Sequence, residues 1–112
     1  MSPASGEEIS VEEARALDGA VLLDVREITE WTAGHAPDAV HVPMYELTPD
    51  HPALAAGSPI VCICRSGNRS RTVTDALVRV GLDARNMAGG MKAWSSAGFP
   101  VVDSHGNPGQ VL

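Results

Sequence analysis

Apolar and polar positions along the chain switch repeatedly between a helical and an extended period. In "ISVEEARAL" (9–17), Val11, Ala14 and Leu17 share one helical face. Ser10 is placed as N-cap and Glu13, three residues later, as its capping-box partner, so a helix ending near Gly19 is predicted. "AVLLDV" (20–25) is a short apolar run ending in a carboxylate and reads as a buried strand. "EITEWTAG" (27–34) predicts one or two helical turns closed by Gly34, and "AVHVP" (39–43) a β-branched strand halted by Pro43. "TPDHPALAAG" (48–57) has the Pro/Asp opening and glycine ending of a short helix. "PIVCIC" (59–64) is apolar at consecutive positions, as suits a central strand covered on both faces.

The second half repeats the alternation. Val73, Ala76, Leu77 and Val80 recur at helical spacing in 68–81, with Gly81 as the stop. "DARNMAG" (83–89) predicts a last short strand and "GMKAWSSAG" (90–98) a last helix. Strands alternating with helices define an α/β protein, a three-layer sandwich around a central parallel sheet. One domain is expected over 7–102, with 1–6 and 103–112 as loosely ordered tails.

Composition narrows the class. The 112 residues are 44% apolar and 20% charged, ordinary for a globular protein, and the net charge is -6. Nucleic acid is excluded as a general partner, because such binders carry a basic footprint. No apolar run reaches the ~20 residues that span a bilayer, and residues 1–20 lack the pattern of a signal peptide, so no membrane partner and a cytoplasmic location are expected. Lys92 is the only lysine beside seven arginines, which together with the many alanines hints at a GC-rich bacterial genome. In a reducing compartment Cys62 and Cys64 are thiols. Two residues apart on one strand, they stand ~6.6 Å apart with parallel Cβ vectors, poor geometry for a disulfide.

"VCICRSGNRSR" (61–71) concentrates the candidate chemistry. Cys64 closes the central strand, at the carboxyl edge where open α/β sheets place ligands. The next helix starts a few residues later, so Arg65, Ser66, Gly67 and Asn68 form a compact turn in which Gly67 supplies a positive φ. Successive N–H groups of this turn then make an anion cradle at a helix N-terminus, with Arg65 and Arg69 adding positive charge. All of these favour a nucleophilic thiolate at Cys64. The plain alternative, a small buried hydrophobe, fits Cys62 inside the strand. A metal site is not expected: Cys-x-Cys with scattered His35, His41, His51 and His105 does not match zinc-ligand spacing.

"CRSGNRS" resembles the active-site loop of single-domain rhodaneses, the sulfurtransferase family. "LLDVREITEWTAGHAPDAVHVP" (22–43) is similar to the family's Asp-x-Arg, Glu-Trp/Tyr and Gly-His-x-Pro-x-Ala signature, and "AGGMKAWSSAGFPV" (88–101) to its Gly-Gly-x-x-x-Trp-x-x-x-Gly-x-Pro-Val ending. Ala36 and Asp38 stand where isoleucine and glycine are commoner. The resemblance implies a flavodoxin-like, doubly wound rhodanese fold, no cofactor, and a ping-pong reaction. Cys64 would take a sulfane sulfur from a small anionic donor such as thiosulfate and pass it from a persulfide to cyanide or a thiol. Arg65, Ser66, Gly67, Asn68, Arg69 and Ser70 would form the substrate-binding loop, Arg65 facing the mouth and Arg69 helping to close the loop.

Other marked residues read as structural. Asp24 and Arg26 tie the strand end to neighbouring backbone; Glu30 pairs with Arg26 or lies on a solvated helix face. Trp31 and Trp94 are packing aromatics, His35 fixes a turn through its ring N–H, and Met87 and Met91 flank "AGG" as core filler on a pocket wall. Phosphatase or arsenate-reductase chemistry needs a Cys-x5-Arg loop, one residue longer than the spacing from Cys64 to Arg69. The remaining alternatives are a sulfur-relay carrier or a regulatory module of the same family, fed by a protein persulfide donor.

Overall fold

The computed structural model describes residues 5–54 and 58–112. Five strands, β1 (Glu8–Ile9), β2 (Val21–Asp24), β3 (Val40–His41), β4 (Ile60–Ile63) and β5 (Ala84–Met87), form one sheet in the order β1-β5-β4-β2-β3, with every pairing parallel. Four helices accompany them: α1 (Val11–Ala16), α2 (Ile28–Ala33), α3 (Asn68–Arg79) and α4 (Gly90–Ser96). β4 occupies the centre, with Cys62 opposite Leu23 of β2 on one side and Asn86 of β5 on the other.

The consecutive apolar residues of β4 are explained by two cores. Ile60, Cys62 and Cys64 pack with Val73 and Leu77 of α3 and with Leu54. Val61 and Ile63 point the other way, into a cluster with Val11 and Ala14 of α1 and Met91 and Trp94 of α4. All four β4 residues are buried, as a strand covered on both faces requires. The three-layer reading therefore holds. Ser10 caps α1 as expected, its Oγ accepting the Glu13 N–H while the Glu13 carboxylate accepts the Ser10 N–H, both at 3.0 Å.

Several expectations are corrected. The stretch just ahead of α1, for which no element was expected, is a strand: Glu8 and Ile9 pair with Asn86 and Met87, and Ile9 is buried beside β5. Over 48–54 there is no helix but two turns closed by His51 N–H to Thr48 O (3.0 Å) and Leu54 N–H to His51 O (2.9 Å). Pro52 lacks the N–H that a helix opened by Pro49 would donate to Thr48 O; residues 55–57 of that predicted helix lie outside the described residues. A 3-10 turn at Met44–Glu46 carries no clear sequence signal. On α3 the buried positions are Ser70, Val73, Thr74 and Leu77, whereas Ala76 and Val80 are exposed, so the inward stripe is more polar than the apolar periodicity suggests.

The segment 103–112 makes backbone contacts with the domain. Val102 bridges His35 and Pro108, the Gln110 N–H donates to Ala33 O (2.9 Å) and the Gly109 N–H to Val101 O (2.9 Å). This strap lies so close to the end of α2 that a Cβ on Gly109 would stand 2.7 Å from Ala33 O, and one on Gly34 would meet the backbone of Gln110. Two glycines thus permit the docking by their small size.

β2 ends on a fully buried ion pair. Arg26 Nη2 donates to Asp24 Oδ2 (2.8 Å) and to the carbonyl of Gly34 (2.8 Å), tying the strand end to the end of α2, while Nη1 has no partner among the described residues. Asp24→Ala would leave that guanidinium uncompensated in the core. Such a loss costs about 3–5 kcal/mol, and urea unfolding of the variant is expected to show it; a change below 1 kcal/mol would mean the pair is replaceable by water.

Candidate active site

The loop 64–70 is formed where β4 stops and α3 begins. Gly67 is the N-cap of α3 with φ 105°, a conformation that side chains rarely adopt, and this reversal turns the following N–H groups back toward the strand end. The Cys64 Sγ accepts the Gly67 N–H at 3.0 Å and the Ser70 hydroxyl at 3.2 Å. Cys64 is 1% exposed. Burial opposes its ionisation, but the Ser70 hydroxyl and the N–H groups of Ser70, Gly67 and Ser66 outweigh that, and the thiol is held below its ordinary value. Cys62, on the same face of β4, is the opposite case: burial pushes its thiol up to about 11.

The loop is supported from beneath by the "AGG" segment. Gly89 and Gly90 both have positive φ, and the first N–H groups of α4 donate into the loop: Met91 to Cys64 O (2.8 Å) and Lys92 to Arg65 O (3.0 Å). A Cβ on Gly90 would collide with the Cys64 and Arg65 carbonyls, so the second glycine is required both by φ and by contact. From the other side Asn86 of β5, almost fully buried, donates to Gly67 O (3.0 Å) and to Glu8 (2.8 Å). Asn86 is a site residue that sequence reasoning missed. A neutral polar residue beside Arg85 in a short strand flanked by Ala84 and Met87 was the available signal.

The candidate loop residues do not all converge. Cys64, Gly67 and Ser70 meet at the sulfur, with Ser66 contributing its N–H. Asn68 is exposed, and so is Arg65, whose Nε donates to Leu112 O at 2.6 Å, bringing the 103–112 strap to the edge of the loop. Arg69 places both Nη groups on the two oxygens of Glu30, each at 2.8 Å. Glu30 therefore pairs with Arg69 and not with Arg26: on α2 its side chain projects toward α3, while Arg26 is turned inward to Asp24. The Arg69 hydrogen bonds hold the Glu30 carboxyl below the usual range.

Trp31, beside Glu30, is sandwiched between His35 (3.6 Å, 4° between planes) and His41 (4.8 Å, 11°). His35 Nδ1 lies 2.7 Å from Trp31 O and His41 Nε2 2.8 Å from Arg26 O; a carbonyl only accepts, so both ring nitrogens carry the proton. Trp94 is a core residue whose Nε1–H reaches Pro100 O (2.8 Å). A broad depression of about 450 Å³ lined by Ile28, Thr29, Thr32 and Ala33 lies along α2 and does not include the Cys64 loop. Among the described residues no group of three or more His, Cys, Asp or Glu side chains is placed to hold a metal ion.

A sheet of this order with a thiol in an amide cradle at its carboxyl edge defines a class, and comparison with known proteins identifies it. The rhodanese-like domain family matches residues 10–97, and the chain belongs to that family. It is 30% identical over 103 residues to the thiosulfate sulfurtransferase GlpE of Pseudomonas fluorescens, across 89% of this chain and 94% of that protein.

 The chain is also 32% identical to the uncharacterized protein slr1261 of Synechocystis over 104 residues, 92% of this chain, and spans 58% of that protein's length. The crystal structure of a rhodanese-related protein from Thermoplasma volcanium superposes with a TM-score of 0.78 at 29% identity, covering 86% of this chain and 97% of that one.

The two thiols give a direct test of the electrostatics. Alkylation of the folded protein by iodoacetamide is expected to modify Cys64 with a pH midpoint below the ~8.5 of a free cysteine, because the rate follows the thiolate fraction, which rises as pH passes the lowered value. Cys62 is expected to react only after unfolding. A Cys64 midpoint at or above the free value would mean that the cradle does not favour the anion.

Proposed function

We propose that this protein is a sulfurtransferase in which Cys64 carries the transferred sulfur as a persulfide. The observation that carries the reading is the pair of donors on one buried sulfur, the Gly67 N–H at 3.0 Å and the Ser70 hydroxyl at 3.2 Å, at the N-terminus of α3. The Cys64 thiolate attacks the outer sulfur of thiosulfate, forming a new S–S bond while the old one breaks and its electron pair leaves with sulfite. The persulfide keeps one negative charge, and the loop donors are placed to hold it. Attack on the outer sulfur by cyanide yields thiocyanate, or by a thiolate yields a new persulfide, and the Cys64 thiolate returns. No proton and no redox partner is needed in either half.

Thiosulfate as donor is supported by the relative GlpE, a thiosulfate sulfurtransferase of which the chain covers 94%. A protein persulfide donor is a second reading. It is favoured by the exposed apolar side chains of Ile28, Met44 and Tyr45, which follow the carboxyl ends of β2 and β3, the edge at which Cys64 also lies. Such side chains offer contact area to a macromolecule and none to a small anion.

Intact mass spectrometry after incubation with thiosulfate is expected to show one added sulfur atom on the wild type and its loss on adding cyanide. Cys62→Ser should retain the adduct and Cys64→Ser should lack it; an adduct that persists in Cys64→Ser defeats the assignment.

Arg65 is the exposed cation of the loop, and its role is in binding. Arg65→Ala is expected to raise KM for thiosulfate about tenfold with a smaller loss in kcat, the pattern of lost uniform binding. Added salt should lower the wild-type kcat/KM more than that of the variant. Steady-state kinetics at two ionic strengths checks both, and an unchanged KM would remove Arg65 from donor handling.

A further inference from the structure

The second arginine of the loop is not available to a substrate. Both Nη groups of Arg69 are taken by the two oxygens of Glu30 at 2.8 Å, a bidentate pair that fixes the guanidinium plane. Glu30 is itself held, since Oε1 also accepts the Glu27 N–H at 3.2 Å in the capping arrangement that opens α2. Its side chain is only 15% exposed and that of Arg69 35%, so solvent screens the pair incompletely. The charged groups around the loop include Arg65 and Arg69 within it, Glu30 from α2, Glu27 at the start of α2, whose charge also acts on Arg69, and Glu8 from β1, which reaches the Gly67 carbonyl through Asn86. Glu8 in turn meets Arg71, whose guanidinium also binds Asp75. Arg65 is thus the loop cation that no Asp or Glu side chain pairs among the described residues, and its Nε donates to Leu112 O.

A dianionic donor gains most from two accessible cations, whereas a singly charged donor gains less. We propose that Glu30 is a positioning and specificity residue for this site: by holding Arg69 it cancels a positive charge on the loop that carries the reacting sulfur and biases that loop toward singly charged sulfane donors, thiosulfonates and alkyl persulfides, over the thiosulfate dianion. This rests on the reading of Cys64 as the sulfur carrier. With a thiosulfonate the step is the same: the Cys64 thiolate bonds to the outer sulfur, and the electron pair of the broken S–S bond leaves with a sulfinate.

Glu30→Gln is the informative change, because glutamine preserves the capping arrangement while removing the charge. The probes are thiosulfate and methanethiosulfonate, which deliver the same sulfur with two charges and one. Glu30→Gln is expected to lower KM for thiosulfate about threefold or more and KM for methanethiosulfonate by less, and to move the Cys64 alkylation midpoint down by about half a pH unit or more, since Arg69 is then uncompensated. Glu30→Asp, which keeps the charge, should restore the wild-type ratio of the two donors. A purely structural tie between α2 and α3 would instead raise both KM values together and leave the midpoint where it was, and that result overturns the proposal. Absence of any persulfide on the wild-type protein overturns the sulfur-transfer reading and the donor preference with it; persulfide formation with an unmoved donor ratio overturns only the role of Glu30.

Discussion

A sulfur atom in a residue that is 1% exposed can hold negative charge only where fixed donors replace the water it has lost. That constraint organises the carboxyl edge of the sheet. The donors are backbone N–H groups and one hydroxyl, which carry no charge of their own to be neutralised, and their direction is set by the backbone turn at Gly67. Because the turn must be held against the repulsion of its own aligned N–H groups, its carbonyls are also bound. The N-terminus of α4 takes those of Cys64 and Arg65, and Asn86 takes that of Gly67. Each of these supports comes from a different part of the chain, so the cradle exists only in the folded sheet.

Cys62 and Cys64 show how local this effect is. They lie on one strand, face the same core and are both fully enclosed, yet burial raises one thiol while hydrogen bonds lower the other. The difference is the end of the strand. Cys62 still has ladder neighbours on both sides, whereas beyond Ile63 the chain is released to turn its amides toward a side chain.

Charge is arranged with similar economy around the loop. Asp24 with Arg26 is sealed in the interior and joins the end of β2 to the end of α2 through Gly34. Glu30 with Arg69 is half-buried and joins α2 to the first turn of α3. The first pair fixes the frame on which α2 sits, and the second places a carboxylate next to the loop from that frame. Of the two loop arginines, Arg69 thus has a carboxylate partner, while Arg65 meets no Asp or Glu side chain among the described residues.

The periodicities of the chain determined the parallel α/β sheet, the central place of β4, the cap at Ser10, and the position of Cys64 at a strand-to-helix turn, because these depend on neighbours within a few residues and on burial of one or both faces. The positive φ at Gly67 was legible for the same reason. What could not be read there was set by partners far apart in the sequence. Ile9 became a strand because β5 offered an edge, and 103–112 became a strap because Gly34 and Gly109 let two backbones touch. Asn86 entered the site across 19 residues to Gly67, and Glu30 chose Arg69, 39 residues away, over Arg26 four residues before it. Sequence spacing states which groups are neighbours along one helix or strand; only the packing of the elements decides which carboxylate faces which arginine, and that choice sets the charge around the sulfur.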